Sequence, residues 1–313
     1  MRLLVLGGTQ FVGRALVEAA LARGHEVTLF NRGRTNPQLF PEVEKLRGNR
    51  DGELDALRGR SWDAVADVAG YLPRVVRQSV ELIEAPYYLF VSTRSVYADL
   101  SGPTDETAPL HGDVDSEDVS EHYGELKAMC ERVVQERSSA IVRPGLVVGP
   151  HDPTGRFTYW PHRIARGGDV LAPGSPDEPV TLVDVRDLGD WMVRLCESKT
   201  QGVYNAIDVR TWGELLEACM RATASDARLV WVPSDWLLEQ GVDEWMELPL
   251  WLASAEYMGM HRVQNDRAVA AGLTFRPLEE VARGALEEAG LTDEAGMRPE
   301  RERELLEAGR TRS

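Results

Sequence analysis

Cysteine is scarce in this chain, and its placement excludes covalent and metal cross-links. Cys130, Cys196 and Cys219 are odd in number and widely separated. This pattern argues against a disulfide framework and a zinc knuckle, and it fits a reducing, cytoplasmic location. The six histidines form no pair at metal-ligand spacing, so we predict that the protein binds no metal.

Long hydrophobic runs are missing as well. No apolar stretch approaches the roughly 20 residues that a membrane-spanning helix needs. The short apolar run at 3–6 leads into glycines rather than into a signal-peptide cleavage site. We therefore expect no membrane association.

Positive charge is in deficit. The chain has 35 Lys and Arg residues against 51 Asp and Glu residues, which gives a formal net charge of −16. A surface with this charge repels the phosphates of nucleic acids. The composition therefore argues against a nucleic-acid partner.

The first half of the chain alternates short apolar runs with helical patterns. The apolar runs lie at 3–6, 26–30, 64–68, 87–91 and 140–142, and the helical patterns at 13–23 and 123–135. Strands that alternate with helices are typical of a parallel sheet covered on both faces. We predict an α/β fold, a Rossmann doubly wound parallel sheet with a smaller C-terminal substrate domain.

The composition changes near residue 151, where prolines and tryptophans become frequent. We predict an NAD(P)-binding Rossmann domain at 1–150, completed by residues from about 180–208. Residues 151–313 are then expected to form mainly a substrate-binding domain, followed by a C-terminal helical tail.

Strand patterns recur in this second half at 181–183 and 202–205, with a helical pattern at 188–196 between them. Part of this half is therefore expected to return to the main sheet. The tail from Thr292 is rich in charged residues, and we expect it to form a solvated terminal helix.

A glycine-rich turn separates the first strand from the first helix, and it reads Gly7-Gly8-Thr9-Gln10-Phe11-Val12-Gly13. Gly7 permits a tight turn, and Gly13 lets the helix approach the strand closely. The backbone amides of Thr9, Gln10, Phe11 and Val12 can donate to a pyrophosphate at the helix N-terminus. This context favours a dinucleotide site over a merely tight turn.

The end of the second strand points to the type of dinucleotide. NAD-specific proteins usually place Asp or Glu there to bind a ribose hydroxyl, whereas this chain has Asn31, followed by Arg32 and Arg34. Guanidinium groups bind a 2′-phosphate through charge-assisted hydrogen bonds. NADP is therefore favoured over NAD, the alternative being that these arginines only decorate a surface loop.

A tyrosine and a lysine lie four residues apart in the second helical pattern. Tyr123 and Lys127 are expected to share one helix face, where the lysine charge would lower the pKa of the phenol. The phenol could then exchange a proton with a substrate oxygen. Thr93 ends a predicted strand, at the edge where such sheets bind ligands, and its hydroxyl is expected to orient the substrate carbonyl.

Together these residues resemble the extended, or an atypical extended-like, short-chain dehydrogenase/reductase of the NAD-dependent epimerase/dehydratase family, over residues 1–290. The segment 90–97 resembles the one that bears the catalytic Ser or Thr, and 143–150 resembles the one that passes the nicotinamide. The resemblance implies catalytic roles for Thr93, Tyr123 and Lys127. It implies cofactor contacts at Ala69, Gly70, Ser92, Tyr123, Lys127, Pro144 and Leu146. Asp187 lies in a further landmark of the family, but we interpret it as a helix cap.

The chain also departs from the family pattern. Gln10 replaces the usual middle glycine, and Arg94-Ser95 replaces the Asp-Glu pair of the sugar-nucleotide 4,6-dehydratases, which argues against that reaction. The Arg-Pro-Gly sequence that begins at Arg143 resembles reductase branches more than sugar epimerases. The Gln10 turn also resembles an atypical branch that includes chloroplast RNA-binding proteins.

The sequence therefore predicts an NAD(P)-dependent oxidoreductase or epimerase, with a reductase favoured. Its substrate is expected to be a small molecule, a sugar or another carbonyl compound, and the fold often forms homodimers through the helix that carries Tyr123. Two alternatives remain open. One is a non-catalytic regulatory or RNA-binding protein on the same fold, and the other is a nucleotide-sugar epimerase that retains NAD.

Overall fold

The computed structural model describes residues 1–288 and 296–310. Its strands are β1 (Arg2–Leu6), β2 (Glu26–Asn31), β3 (Glu44–Arg47), β4 (Ala64–Asp67), β5 (Tyr88–Val91), β6 (Ser139–Pro144), β7 (Val147–Val148), β8 (Asp169–Pro173), β9 (Pro179–Asp184), β10 (Gly202–Ala206), β11 (Asp208–Thr211) and β12 (Arg228–Val232). Its helices are α1 (Phe11–Ala22), α2 (Pro73–Leu82), α3 (Tyr123–Val134), α4 (Tyr159–Ala165), α5 (Val185–Ser198), α6 (Trp212–Thr223), α7 (Ser234–Glu239), α8 (Asp266–Ala270), α9 (Leu278–Glu288) and α10 (Pro299–Arg310). Short 3-10 helices lie at Asp55–Leu57 and Arg94–Val96.

Seven strands form one parallel sheet in the order β10-β6-β5-β4-β1-β2-β3. The predicted doubly wound α/β fold is confirmed. The chain order reverses between β1 and β4, and sheets of this type bind ligands outside the carboxyl ends of the strands at such a point. The segments that follow β1, β2, β4 and β5 therefore meet at one edge of the sheet.

Apolar side chains on both faces of β1 explain the layers. Leu3 and Val5 belong to the core formed with α1 and α5, whereas Leu4 and Leu6 belong to the core formed with α2 and α3. All four are at most 1% exposed. Burying each such side chain contributes about 1.5–3 kcal/mol. A strand covered on both faces needs an uninterrupted apolar run, which is why the sequence predicted it.

The second half of the chain contributes one strand to the main sheet and builds a separate core. β10 pairs with β6, as expected for 202–205, but β9 pairs with β7 and β11 in a three-stranded sheet. β8 and β12 form a two-stranded sheet. The core beside them includes Trp160 and Trp212, whose rings meet edge to face with centroids 5.1 Å apart.

Asp187 does not cap a helix, contrary to the expectation. The N-cap of α5 is Asp184, whose carboxylate accepts a hydrogen bond from the Arg186 amide at 2.8 Å. Asp187 instead accepts from the backbone amide and from Nε of Arg276, each at 2.9 Å. Because Asp187 lies three residues inside α5, its carboxylate is free to tie that helix to the segment before α9.

The expectation of a solvated terminal helix is also wrong. Glu302, Leu305 and Leu306 of α10 are buried, and Glu302 accepts hydrogen bonds from Arg163 Nε at 2.5 Å and from the Leu171 amide at 3.0 Å. One turn of apolar side chains within a charged segment is enough to dock the helix. The residues 292–295 and 311–313 of the predicted tail lie outside the described residues.

The helices of the described chain lack the combination of length and apolar character needed to cross a membrane. Cys130, Cys196 and Cys219 are buried free thiols. Within residues 1–288 and 296–310, no group of three or more His, Cys, Asp or Glu side chains is arranged to hold a metal ion.

We predict that Glu302→Ala lowers the free energy of unfolding by about 3 kcal/mol, because it leaves the buried Arg163 guanidinium without its carboxylate. Urea denaturation measures this change. Glu307→Ala on the exposed face of α10 is the matched control and should change the stability by less than about 0.5 kcal/mol. Equal effects of the two substitutions would show that α10 does not belong to the folded core.

Candidate active site

A cleft of about 650 Å³ opens at the carboxyl ends of β1, β2 and β4. Ten of the residues predicted to bind a cofactor line it: Gly7, Thr9, Gln10, Phe11, Val12, Gly13, Asn31, Arg32, Arg34 and Ala69. They come from three separate strand ends, so only the parallel sheet brings them together.

The glycine turn has the shape needed to hold a pyrophosphate. Gly7 and Gly8 have φ angles of +110° and +93°, which side chains rarely permit. A Cβ atom at Gly13 would lie 2.9 Å from the Gly8 amide nitrogen and 3.0 Å from Val68 Cγ2. The first amides of α1, at Phe11 and Val12, have no acceptor within the helix. The turn therefore exposes backbone donors with no side chain in the way, and it fits the diphosphate of a dinucleotide.

Asn31 organises this turn from the end of β2. Its Nδ2 donates to the Gly7 carbonyl at 2.9 Å, and its Oδ1 accepts from the Gly33 amide at 2.9 Å and from Arg47 Nη1. Both ends of the amide are thus engaged with the protein. Asn31 lines the cleft, but its side chain links β2 to the glycine turn.

Arg32 and Arg34 stand at the rim of the cleft. Both are exposed, and neither forms a hydrogen bond or an ion pair with another residue in the described part of the chain. In contrast, the nearby Arg47 is held by Asn31. Two unengaged guanidinium groups therefore remain at the edge where a 2′-phosphate would be recognised.

The segment that follows β3 also lines the cleft, which the sequence did not predict. It consists of Gly48, Asn49, Arg50 and Asp51. The charged sequence of β3, Glu-Lys-Leu-Arg, lacks the apolar alternation that marks a strand. The residue in the sequence that best indicates this segment is Gly48. In the structure, a Cβ atom at Gly48 would lie only 2.3 Å from the Glu53 carbonyl oxygen.

Arg50 connects this segment to the floor of the sheet. Its guanidinium forms a two-point ion pair with the Asp67 carboxylate, and its Nε donates to Ser79 Oγ at 3.0 Å. The Tyr88 hydroxyl donates to Asp67 at 2.8 Å. Burial is the largest single influence on the pKa of Asp67 and raises it, but the Arg50 charge and the hydrogen bonds from Arg50 and Tyr88 together lower this pKa.

Thr93 and Tyr123 lie together just beyond β5. Thr93 caps the 3-10 helix Arg94–Val96, since its Oγ1 accepts from the Ser95 amide at 3.2 Å. Burial raises the pKa of Tyr123, and the nearby Tyr71 adds to this effect, while a hydrogen bond with Thr93 opposes it. The expected lowering of the tyrosine pKa is therefore not found.

Gly124 explains how these two residues come together. A Cβ atom at Gly124 would lie 2.2 Å from the Ser95 carbonyl oxygen. Only glycine lets the first turn of α3 touch the 3-10 helix that Thr93 caps. Gly124 lies between Tyr123 and Lys127 in the sequence, and a glycine at this position indicates a close approach of the helix to a neighbouring segment.

The Lys127 ammonium is held by two backbone carbonyl groups at the edge of the sheet. Its Nζ donates to the carbonyl oxygens of Gly70 and Val91, both at 2.7 Å, and it lies 4.2 Å from the centroid of the Phe90 ring. Lys127 is only 3% exposed, and burial lowers its pKa to about 8. The pKa shift of Tyr123 comes from burial, Tyr71 and Thr93.

The remaining predicted cofactor positions lie away from the walls of the cleft. Gly70 follows β4, Ser92 follows β5, and Pro144 and Leu146 lie at and beyond the end of β6. The Ser92 hydroxyl oxygen is buried and has no partner in residues 1–288 and 296–310. It is a hydrogen-bonding group that a bound molecule at this strand end could satisfy.

Comparison with known proteins agrees with this architecture. The model of the NAD-dependent epimerase/dehydratase family matches residues 3–207. The chain belongs to this family. The match covers the sheet, the glycine turn, Thr93, Tyr123 and Lys127.

Two curated relatives are each 26% identical to this chain. One is the chloroplast stem-loop binding protein of 41 kDa b of Arabidopsis thaliana, and the match covers 71% of this chain and 63% of that protein. The other is the epimerase family protein SDR39U1 of Bos taurus, for which the match covers 66% of this chain and 74% of the relative. The chain thus spans less than two thirds of the length of the chloroplast relative.

Solved structures share the fold of this chain. Human SDR39U1 (isoform 2) with NADPH superposes with a TM-score of 0.61 at 21% identity, over 90% of this chain and 99% of the other. WbmH of Bordetella bronchiseptica in complex with NAD⁺ gives a TM-score of 0.65 at 16% identity, over 93% and 99%. At this level of identity the likeness supports the fold alone.

The pKa of Lys127 leads to a prediction on pH and stability. The folded chain loses the Lys127 proton near pH 8 and the unfolded chain near 10.5, so the folding penalty of the buried charge is full below pH 8 and disappears as the pH rises through this window. The stability of the wild type relative to Lys127→Met should therefore increase by up to about 1.4 kcal/mol per pH unit above pH 8.

Urea denaturation between pH 7 and pH 9.5 measures this difference. The exposed Lys199 provides the control, because the difference between the wild type and Lys199→Met should stay flat over the same range. A flat profile for Lys127→Met as well would mean that Lys127 keeps its ordinary pKa, and would contradict the buried placement of its ammonium.

Proposed function

We propose that this protein is an NAD(P)-dependent oxidoreductase or epimerase of the short-chain dehydrogenase/reductase type, with carbonyl reduction favoured. The observation that carries the proposal is the meeting of Thr93, Tyr123 and buried Lys127 at the same sheet edge as the glycine-turn cleft. The cofactor would supply or accept a hydride at a carbonyl or alcohol carbon.

Different residues would contact different parts of the bound dinucleotide. The glycine turn with Gly7 and Gly13 would receive the pyrophosphate at the N-terminus of α1. Two N–H bonds of the Lys127 ammonium are used by Gly70 and Val91, which leaves one donor for a ribose hydroxyl. The unpartnered Ser92 hydroxyl offers a further contact.

The chain's own proton chemistry favours reduction. Because the pKa of Tyr123 is raised, its phenol stays protonated at neutral pH and can give a proton to the oxygen of a carbonyl that is being reduced. Thr93, which shares a hydrogen bond with this phenol, would donate its own hydroxyl to the same oxygen and hold it in place.

We favour NADP as the cofactor. Arg32 and Arg34 are exposed at the cleft rim without protein partners in the described chain, and no carboxylate ends β2. The related human SDR39U1 was crystallised with NADPH.

The alternatives draw on the relatives but find less support in this chain. A net charge of −16 argues against the stem-loop binding named for the chloroplast relative. Several structural neighbours are sugar-nucleotide epimerases bound to NAD, such as UDP-glucuronic acid 4-epimerase of Bacillus cereus. An epimerase of that kind would retain an oxidised cofactor on purification, whereas a reductase would exchange it.

We predict that Arg32→Ala and Arg34→Ala each weaken NADPH binding by about tenfold or more, because each removes charge-assisted hydrogen bonds to the 2′-phosphate. NADH binding should change little. Fluorescence titration of both cofactors gives the affinities, with Arg303→Ala on the exposed face of α10 as the control for lost surface charge. Equal NADH and NADPH affinities that do not respond to Arg32→Ala or Arg34→Ala would reject the NADP assignment.

We predict that Tyr123→Phe lowers turnover by roughly 10²–10⁴-fold and leaves cofactor affinity nearly intact, because only the transferable proton is lost. The substrate must first be found by screening ketones, aldehydes and sugar nucleotides for NADPH oxidation or epimerised product. Tyr204→Phe removes a hydroxyl that donates to the Gln201 carbonyl, and it should keep its activity. Wild-type turnover in Tyr123→Phe would refute the proton-transfer role.

A further inference from the structure

Arg94 is a buried arginine without an acidic partner. It is 3% exposed, and its Nη1 donates to Thr181 Oγ1 at 2.7 Å and to the Met260 carbonyl at 2.8 Å. No carboxylate lies within ion-pair distance of it in the described part of the chain. Three other arginines with mostly buried side chains each have one: Arg50 pairs with Asp67, Arg143 with Glu131 and Arg163 with Glu302.

The groups around this guanidinium do not balance its charge. His261 Nδ1 accepts from the Thr181 amide at 3.1 Å, and burial together with the Arg94 charge lowers the pKa of His261 to about 3. The imidazole is therefore neutral. Burial lowers the pKa of Arg94 to about 10, so the guanidinium remains charged at neutral pH. An uncompensated buried charge is strongly unfavourable, and such charges are concentrated at functional sites.

One edge of the guanidinium remains unused. Nη1 makes both of the hydrogen bonds described above, whereas Nε and Nη2 have no acceptor in residues 1–288 and 296–310. In that part of the chain, the fully buried side-chain atoms that lack a hydrogen-bond partner belong to Ser92, Thr104, Asp152 and His162. The Nε and Nη2 atoms of Arg94 are not among them. The Nε–Nη2 edge of Arg94 is therefore not completely closed off, and this planar fork matches two oxygen atoms of one anion.

Arg94 lies next to the candidate active site, both in the chain and in space. Arg94 directly follows Thr93, and a Cβ atom added at Gly145 would lie 3.8 Å from Nη1. Gly145 separates Pro144 from Leu146, both proposed to contact the cofactor. The contact with Thr181 on β9 places the guanidinium between the end of the main sheet and the second half of the chain.

We propose that the Nε–Nη2 edge of Arg94 binds an anionic group of the substrate, a carboxylate or a phosphoryl group. The inference rests on the proposed function, because the anion belongs to the molecule whose oxygen contacts Thr93 and Tyr123. It narrows the substrate class to acidic carbonyl or alcohol compounds. The same residue cannot serve the acid and base roles of a dehydratase carboxylate, since a guanidinium remains protonated.

NMR of the ¹⁵N-labelled full-length protein tests this site without turnover. The Nε–H resonance of Arg94, assigned by its loss in Arg94→Lys, is followed while sodium phosphate or sodium acetate replaces sodium chloride at constant ionic strength. We expect it to shift and saturate with at least one anion, and the anion that saturates at lower concentration identifies the phosphoryl or carboxylate preference. Arg32→Ala/Arg34→Ala is the matched control, because loss of the proposed 2′-phosphate site should leave this response intact.

Arg94→Lys keeps the charge but loses the fork, and calorimetry should show binding of the preferred anion weakened by about tenfold or more. If this variant fails to fold, the wild-type resonance, assigned by a triple-resonance experiment, still decides. An Arg94 resonance that responds to neither anion would reduce Arg94 to a structural link between β9 and the segment at Met260. That result with intact Tyr123-dependent turnover rejects the anion site alone, whereas a saturable response with unimpaired Tyr123→Phe turnover rejects the proton-transfer role of Tyr123 alone.

Discussion

The close contact between the N-terminus of α1 and the end of β1 is the constraint on which the site depends. At Gly13 there is no room for a Cβ atom against the Gly8 amide and Val68. This contact points the first amides of α1 at the carboxyl edge of the sheet, where the loops after β2, β4 and β5 also arrive. The cleft, the arginines at its rim and the candidate catalytic residues are all positioned relative to this contact.

A second close contact places the candidate catalytic residues at the same edge of the sheet. Gly124 lets α3 touch the carbonyl of Ser95, so that Tyr123 lies beside Thr93 while Lys127 reaches the carbonyl oxygens of Gly70 and Val91 below. Away from this edge, buried charges such as Glu131 and Arg143 are paired. At the edge, Lys127 and Arg94 donate to neutral hydrogen-bond acceptors within the described residues, and the fold tolerates an electrostatic penalty at the candidate site.

The sequence predicted the structure best where side chains are completely buried and where the backbone adopts a conformation that favours glycine. Uninterrupted apolar runs predicted the central strands, and the glycines marked the turn. β3 was missed because its edge position needs few apolar residues, and the docking of α10 was missed because it depends on Glu302 meeting Arg163, far away in the chain. The raised pKa of Tyr123 was equally beyond the sequence. It depends mainly on burial and on the neighbouring Tyr71, which the four-residue spacing of Tyr123 and Lys127 does not specify.

The central claim is that the glycine turn holds the pyrophosphate of a nicotinamide dinucleotide, and titration of Gly13→Ala with NADPH tests it most directly. Gly112→Ala is the matched substitution, because a Cβ atom at Gly112 meets open space. With both variants verified as folded by circular dichroism, the account predicts a roughly hundredfold loss of affinity in Gly13→Ala, since displacement of α1 misplaces the phosphate donors. Gly112→Ala should bind like the wild type. Wild-type affinity in Gly13→Ala would contradict the assignment of the cleft.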